Sequence, residues 1–345
     1  MKLTLAKSPN AQKAYTIVQN LQHRFAIKLS ALSEILGENR PFEEVAWLRD
    51  EGVHGGGSRF EARDSNLFNT GSINVSQVHY DDMPEKNLQS ATAISTIIHP
   101  KNPLVPSMHM HISLTELRDG SAYWRLMADL NPSNFNEDDK NIFDVAIANV
   151  AEDLYEEGAL QGDKYFYIPA LKRHRGVSHF YLENYKSENR EEDEAFALAF
   201  GEAVIDIYVD IIANAIKTRE HPTKEELQNQ LHYHTLYLFQ VLTLDRGTTS
   251  GLLIHNQNDT GIMGSLPTHI DRELLLSWKE KLPAPQNMLV EKLASAIDDD
   301  GAITVDVKKR LASLVREHYK EYPEALSMQA SGDTLPTTVA NHIKV

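Results

Sequence analysis

Between residues 71 and 131 four strand-length segments follow one another: GSINVSQVHY, ATAISTIIH, SMHMHISLTEL and AYWRLMADL. They are rich in β-branched and aromatic residues, and Pro, Gly or Asn clusters separate them. No strict βαβ alternation surrounds them, and no Gly-x-Gly-x-x-Gly turn opens a helix, which argues against a doubly wound nucleotide fold. Helical periodicity precedes the block over 11–36, with Ala14, Ile17, Val18, Leu21, Phe25, Leu29 and Leu32 apolar and Gly37 as the stop. A second helix is predicted over about 137–160, opening on Asn136 with Glu137, Asp138 and Asp139 in its first turn. KYFYIPAL and GVSHFYLEN read as two more strands around the basic turn LKRHR. The longest helix follows at about 192–218, with Phe196, Phe200, Val204, Ile207, Ile211 and Ile216 on one stripe. A short helix is predicted from near Thr223, a late hairpin from LYLFQVLTL and SGLLIHN around DRGTT, and helices at 271–282, 286–298 and 304–321. The class is α+β with a large, mainly antiparallel β-sheet.

The 345 residues carry 34 Lys and Arg against 49 Asp and Glu, a formal charge of −15. Such a field repels polyphosphate, which argues against nucleic acid and anionic membrane surfaces as partners. An anionic small molecule must then meet locally placed cations. There is no cysteine, which excludes disulfides, thiolate nucleophiles, iron–sulfur clusters and cysteine-ligated metals. No apolar run is long enough to span a membrane, and MKLTLAKSPN lacks the apolar core of a signal peptide. The expectation is a cytoplasmic protein. It has one domain over 1–299, a helical extension over 300–322 and a flexible polar tail over 323–345.

The densest chemistry lies between His99 and Ser113. On the strand SMHMHISLTEL, Met108, Met110 and Ile112 share one face; His109, His111 and Ser113 share the other. The first face reads as core, the second as the wall of a polar cavity, and Ser95 and His99 have the parity to join it. Three readings of these histidines stay open: hydrogen-bonded residues on a half-exposed sheet, a nitrogen site for a transition metal, or an acid–base group near neutral pH. No suitably spaced carboxylate completes a metal triad, although Glu116 lies near. GVHGGGSRF offers three glycines whose amides could cradle an anion, with Arg59 adjoining. Asp129 ends an apolar strand before Pro132, as a turn former or as a carboxylate facing the cavity. Two cationic turns, Lys172-Arg-His-Arg175 and Asp245-Arg246-Gly, are candidate carboxylate clamps.

Taken in order, GVHGGGSRF, GSINVSQVHYDDMP, AISTIIHPKNPLVPSMH, ADLNP, YFYIPALKRHRG and LTLDRGTTSGL resemble the oxygen-dependent coproporphyrinogen III oxidases over about residues 40–298. The resemblance implies a large antiparallel sheet with α-helices on both faces, in a homodimer with a deep cleft on each subunit. It implies conversion of two propionates of a reduced tetrapyrrole to vinyl groups, with molecular oxygen as acceptor and no metal or organic cofactor. Position by position, His109 matches the proton donor, Ser95 a substrate-contacting serine, Asp129 the partner of the pyrrole N–H groups, Arg175 a cleft arginine and Arg59 the arginine after the glycine run. Arg246 falls among the substrate-binding positions as well.

The departures are specific. His111-Ile112-Ser113 stands where the family has Asn-Val-Arg, and His255-Asn256-Gln257 where it has Gly-Gly-Arg. Arg125-Leu126-Met127 replaces a glycine run. Of the family histidines proposed as metal ligands, His99 and His109 remain; the others align with Asp144 and Ala170. Two lost arginine–carboxylate contacts weaken a tetracarboxylate ligand by about 3–6 kcal/mol, which Arg125, Lys172 or Arg173 could partly offset. Two rival functions follow: a tetrapyrrole-binding paralogue without catalysis, or a metal-dependent oxygenase on His99, His109 and His111.

Overall fold

The computed structural model describes residues 3–39, 41–254 and 258–330. Helix α1 (Pro9–Ile35) opens the fold, capped by the Ser8 hydroxyl, which accepts from the Ala11 amide. Six strands then run in sequence: β1 (Glu43–Leu48), β2 (Gly55–Arg63), β3 (Phe68–His79), β4 (Leu88–Pro100), β5 (Ser107–Leu117) and β6 (Ala122–Asn131). Helices α2 (Glu137–Ala151) and α3 (Tyr155–Phe166) and a small pair, β7 (Tyr167–Ile168) with β8 (Arg173–His174), lead to β9 (Ser178–Tyr185). This last strand returns beside β6. The result is one antiparallel seven-stranded sheet in the order β1-β2-β3-β4-β5-β6-β9, the α+β architecture expected.

Helix α4 (Arg190–Thr218) packs with α1 and α2 on the face where Ile94, Met108, Met110, Ile112, Leu126 and Phe180 point. The other face carries α5 (Lys224–Thr243), α6 (Arg246–Ile254) and α7 (Asp259–Ile262), followed by α8 (Arg272–Ser277), α9 (Gln286–Ser295) and α10 (Val305–Glu321). These build a second core around Leu238, Phe239, Leu242, Leu289, Leu311 and Val315. Residues 300–322, read as an extension, thus pack within that core through α10. The expected looseness fails for residues 323–330. Pro323–Met328 is a 3₁₀ helix, the Ala330 amide donates to Leu244 O at 3.0 Å, and Gln329 donates to Thr249 Oγ1 at 2.6 Å. The rest of the expected tail lies outside the described residues.

Two other expectations are corrected. The late hairpin is a helix pair. Every residue of α5 from Tyr233 to Thr243 is buried, so the segment is apolar all round and loses the 3.6-residue signature that separates helix from strand. Its start was legible, since Thr223 and Glu226 form a capping box. DRGTT is a helix start: the Asp245 carboxylate accepts from the Thr248 amide at 2.6 Å. The glycine run is no anion-binding loop either, because it lies in β2, hydrogen-bonded between β1 and β3. Gly55 has φ +97°, and a Cβ there would stand 2.0 Å from Gln77 O. Glycine serves close strand approach here.

Candidate active site

Antiparallel register converts strand parity into a floor. One cross-strand row holds Asn74, Ser95, His111, Met127 and Tyr181; the next holds Ile97, His109, Asp129 and His179. Above this floor Tyr165 and Phe166 of α3, Tyr237 of α5 and Arg246 of α6 close a cavity of about 1350 Å³ including its open mouth. Ser95, His109, His111, Arg175 and Arg246 border it, as expected for a common site.

Other expected site residues fall elsewhere. Ile112 is fully buried in the opposite core, as its parity with Met108 and Met110 requires. Ser113 is buried and pairs its Oγ with His111 Nε2 at 3.0 Å, off the cavity surface. Arg59 points to the right face but is only 3% exposed. It is ion-paired with Glu61, and Gly261 covers it so closely that a Cβ there would meet its Nη1 at 2.2 Å. Arg59 is therefore not among the cavity-lining residues. Lys172 and Arg173 are exposed and outside the cavity lining. His255, Asn256 and Gln257 lie outside the described residues.

At the deepest point His109, Asp129 and Arg175 form one network. Asp129 is 0% exposed. One carboxylate oxygen accepts from His109 Nδ1 at 2.7 Å; the other accepts from Asn131 Nδ2 at 2.6 Å and from the Arg175 guanidinium. Burial alone would raise this carboxyl, but the Arg175 cation and the His109 ring hold it below the usual carboxylate range. Asp129 is therefore an anion that can only accept, which fixes the proton of neutral His109 on Nδ1 and leaves Nε2 for the cavity. His109 keeps 19% of its side chain exposed. Asp129 makes its contacts within the protein and is absent from the cavity lining. Both oxygens are engaged beneath the histidine, and none reaches the cavity surface.

Arg175 lies against Phe166 and Tyr237, its guanidinium carbon 5.3 and 5.1 Å from the ring centres. Asn131 also accepts from Arg175 Nε at 3.1 Å. Asn131 was missed, although it shares the parity of Asp129 two residues on. Tyr237 was missed because α5 read as a strand.

His99 has the expected parity but lies fully buried under α5, its ring 4.5 Å from that of Tyr237 and its Nδ1 2.9 Å from Ser107 Oγ. Neither His99 nor His109 joins a three-ligand group. Among the described residues the one such group is Asp163, His174 and His179, with ligand atoms within 4.8 Å of one another. There the two imidazoles lie tilted by 33° with centroids 5.1 Å apart, and His179 Nδ1 bonds Asp163 at 2.7 Å.

Burial, with nearby cations, pushes His111 down to about 3; burial, with His269 beside it, does the same to His234; burial also takes His99 well below its ordinary value. These rings stay neutral in the folded state while their unfolded counterparts protonate near pH 6.5. The unfolded chain then binds more protons, so this stability is complete above pH 6.5 and drains as pH falls toward 3. Each ring contributes up to about 1.4 kcal/mol per pH unit in that window. Urea midpoints are expected to fall steadily between pH 7 and pH 4.5, and His234→Gln should flatten the slope; a slope unchanged in that variant would contradict a neutral buried ring.

The sequence profile described as Coproporphyrinogen III oxidase matches residues 13–298. The mitochondrial oxygen-dependent coproporphyrinogen-III oxidase of Rattus norvegicus is 28% identical over 271 residues, 71% of this chain and 59% of that protein. The Mus musculus protein of the same name is 28% identical over 266 residues, 70% of this chain and 58% of its own length. The chain thus spans less than two thirds of these mammalian relatives. The oxygen-dependent coproporphyrinogen-III oxidase of Prochlorococcus marinus is 27% identical over 270 residues, 66% of this chain and 76% of that protein. With the profile covering most of its length, the chain belongs to the coproporphyrinogen III oxidase family.

Proposed function

We propose that this cavity binds coproporphyrinogen III, or a closely related reduced tetrapyrrole, and oxidatively decarboxylates its propionates. Oxygen-dependent coproporphyrinogen oxidases use molecular oxygen and need no metal or organic cofactor. Per arm, a –CH2CH2–COOH group loses CO2 and two hydrogens to become –CH=CH2, and O2 takes up two electrons and two protons to become H2O2. The observation that carries the reading is His109, fixed by buried Asp129 and presenting Nε2 to a cavity that also gathers Ser95, His111, Arg175 and Arg246. In its protonated form that ring donates a proton at Nε2; in its neutral form it accepts one there. His109 is the catalytic residue; Asp129, Asn131 and Arg175 position it. Ser95, His111 and Arg246 supply polar contacts along the walls. In this reading the protein serves haem and porphyrin biosynthesis as a cytoplasmic homodimer, on the strength of the family resemblance.

Incubation with coproporphyrinogen III under air tests it. The expected result is vinyl product with one O2 consumed per propionate lost. A folded protein that consumes no oxygen fails the test. Saturable porphyrin binding without turnover would then favour the paralogue reading, for which Ser113, in place of a family arginine, already speaks.

A further inference from the structure

A guanidinium without a counter-ion among the described residues stands in the cavity wall. Arg125 lies on β6 with the parity of Met127 and Asp129 and borders the cavity. Its Nε is buried without a hydrogen-bond partner. The other cavity arginines are neutralised within the fold, Arg175 by Asp129 and Arg246 by Glu183. Arg125 makes no ion pair or hydrogen bond with any described residue; its polar surroundings are the phenols of Tyr181, Tyr123 and Tyr165. A desolvated cation facing neutral groups is costly until an anion completes it.

We infer that Arg125 anchors a second, non-reacting carboxylate of the substrate. This rests on the tetrapyrrole reading above and narrows it. His109, cross-strand from Asp129, and Arg125 are separated by a four-residue step along β6, about 13 Å at about 3.3 Å per residue. A small monocarboxylate cannot engage both points. A macrocyclic polycarboxylate with acid arms on opposite sides of its ring can, so the site selects for arm number and spacing. The register sets Arg125 directly opposite Ser113, so the cation has moved one strand from the position where the family resemblance places an arginine.

The test uses the full chain with coproporphyrin III and its tetramethyl ester as binding probes, followed by fluorescence. Arg125→Met is expected to weaken the free acid by about 10- to 100-fold and to leave the ester unmoved, with Arg125→Lys recovering part of the loss. In turnover the effect should fall on KM, with kcat within about threefold of wild type. Equal affinity of wild type and Arg125→Met for the acid overturns the anchor alone. An equal loss for acid and ester also overturns it, since that marks a structural role. A wild-type protein that binds no free acid overturns the tetrapyrrole reading and the anchor with it.

Discussion

His109→Gln is expected to lower kcat for coproporphyrinogen III by about 10²- to 10⁴-fold while coproporphyrin III binds within a few-fold of wild type. Glutamine can still donate to Asp129 from its amide, so the buried carboxylate keeps a partner and the floor of the cavity keeps its shape. What is lost is a ring nitrogen able to give and take a proton at Nε2. Because binding is read separately, a variant that fails to fold is distinguished from one that folds and cannot turn over; the urea midpoint of the variant is the control. A loss confined to KM would remove His109 from the proton-transfer role. Full retention of kcat would do the same.

The large features of the fold were legible for a physical reason. β4, β5 and β6 each carry a two-residue alternation that only a sheet with two different faces produces, and α1 and α4 each bury one stripe. The parity of Met108, Met110 and Ile112 against His109 and His111 places the cavity floor from the sequence alone. It also placed Ile112 in the core, against its inclusion among substrate contacts by resemblance. What escaped the sequence was of two kinds. Edge strand β1 and glycine-laden β2 carry weak strand signals, and α5 is buried so completely over Tyr233–Thr243 that its periodicity vanishes. The second kind is pairing. Nothing local in the sequence tells that Asp129 spends both oxygens on His109, Asn131 and Arg175, because Arg175 lies 46 residues away. That pairing ties Asp129 to the His109 ring and to Arg175 in place of the cavity surface.

The same network should dominate the energetics of the site. Arg175→Met removes the principal counter-charge of a carboxylate that is 0% exposed, a change expected to cost about 3–5 kcal/mol of stability at pH 7. Asp129→Asn strands the guanidinium against Phe166 and Tyr237 and should cost a similar amount. The double variant has no uncompensated charge to bury, so its loss should fall well short of the sum, with a coupling on the order of 2–3 kcal/mol from urea midpoints. Additive losses would mean that the ion pair contributes little beyond its packing. The pH dependence gives the sign independently. In wild type the Asp129 carboxyl is held below its unfolded value, so its stabilisation is present above about pH 4 and is lost as pH falls through the folded value. In Arg175→Met burial acts with less opposition, the carboxyl moves up, and protonation on acidification relieves the buried charge. The gap between wild type and Arg175→Met should therefore narrow between pH 7 and pH 4.5, while the histidine-driven loss shared by both proteins cancels in the difference. A gap that stays constant across that range would show that the arginine is held for its shape and its two aromatic contacts, and that Asp129 draws its charge compensation from His109 and Asn131.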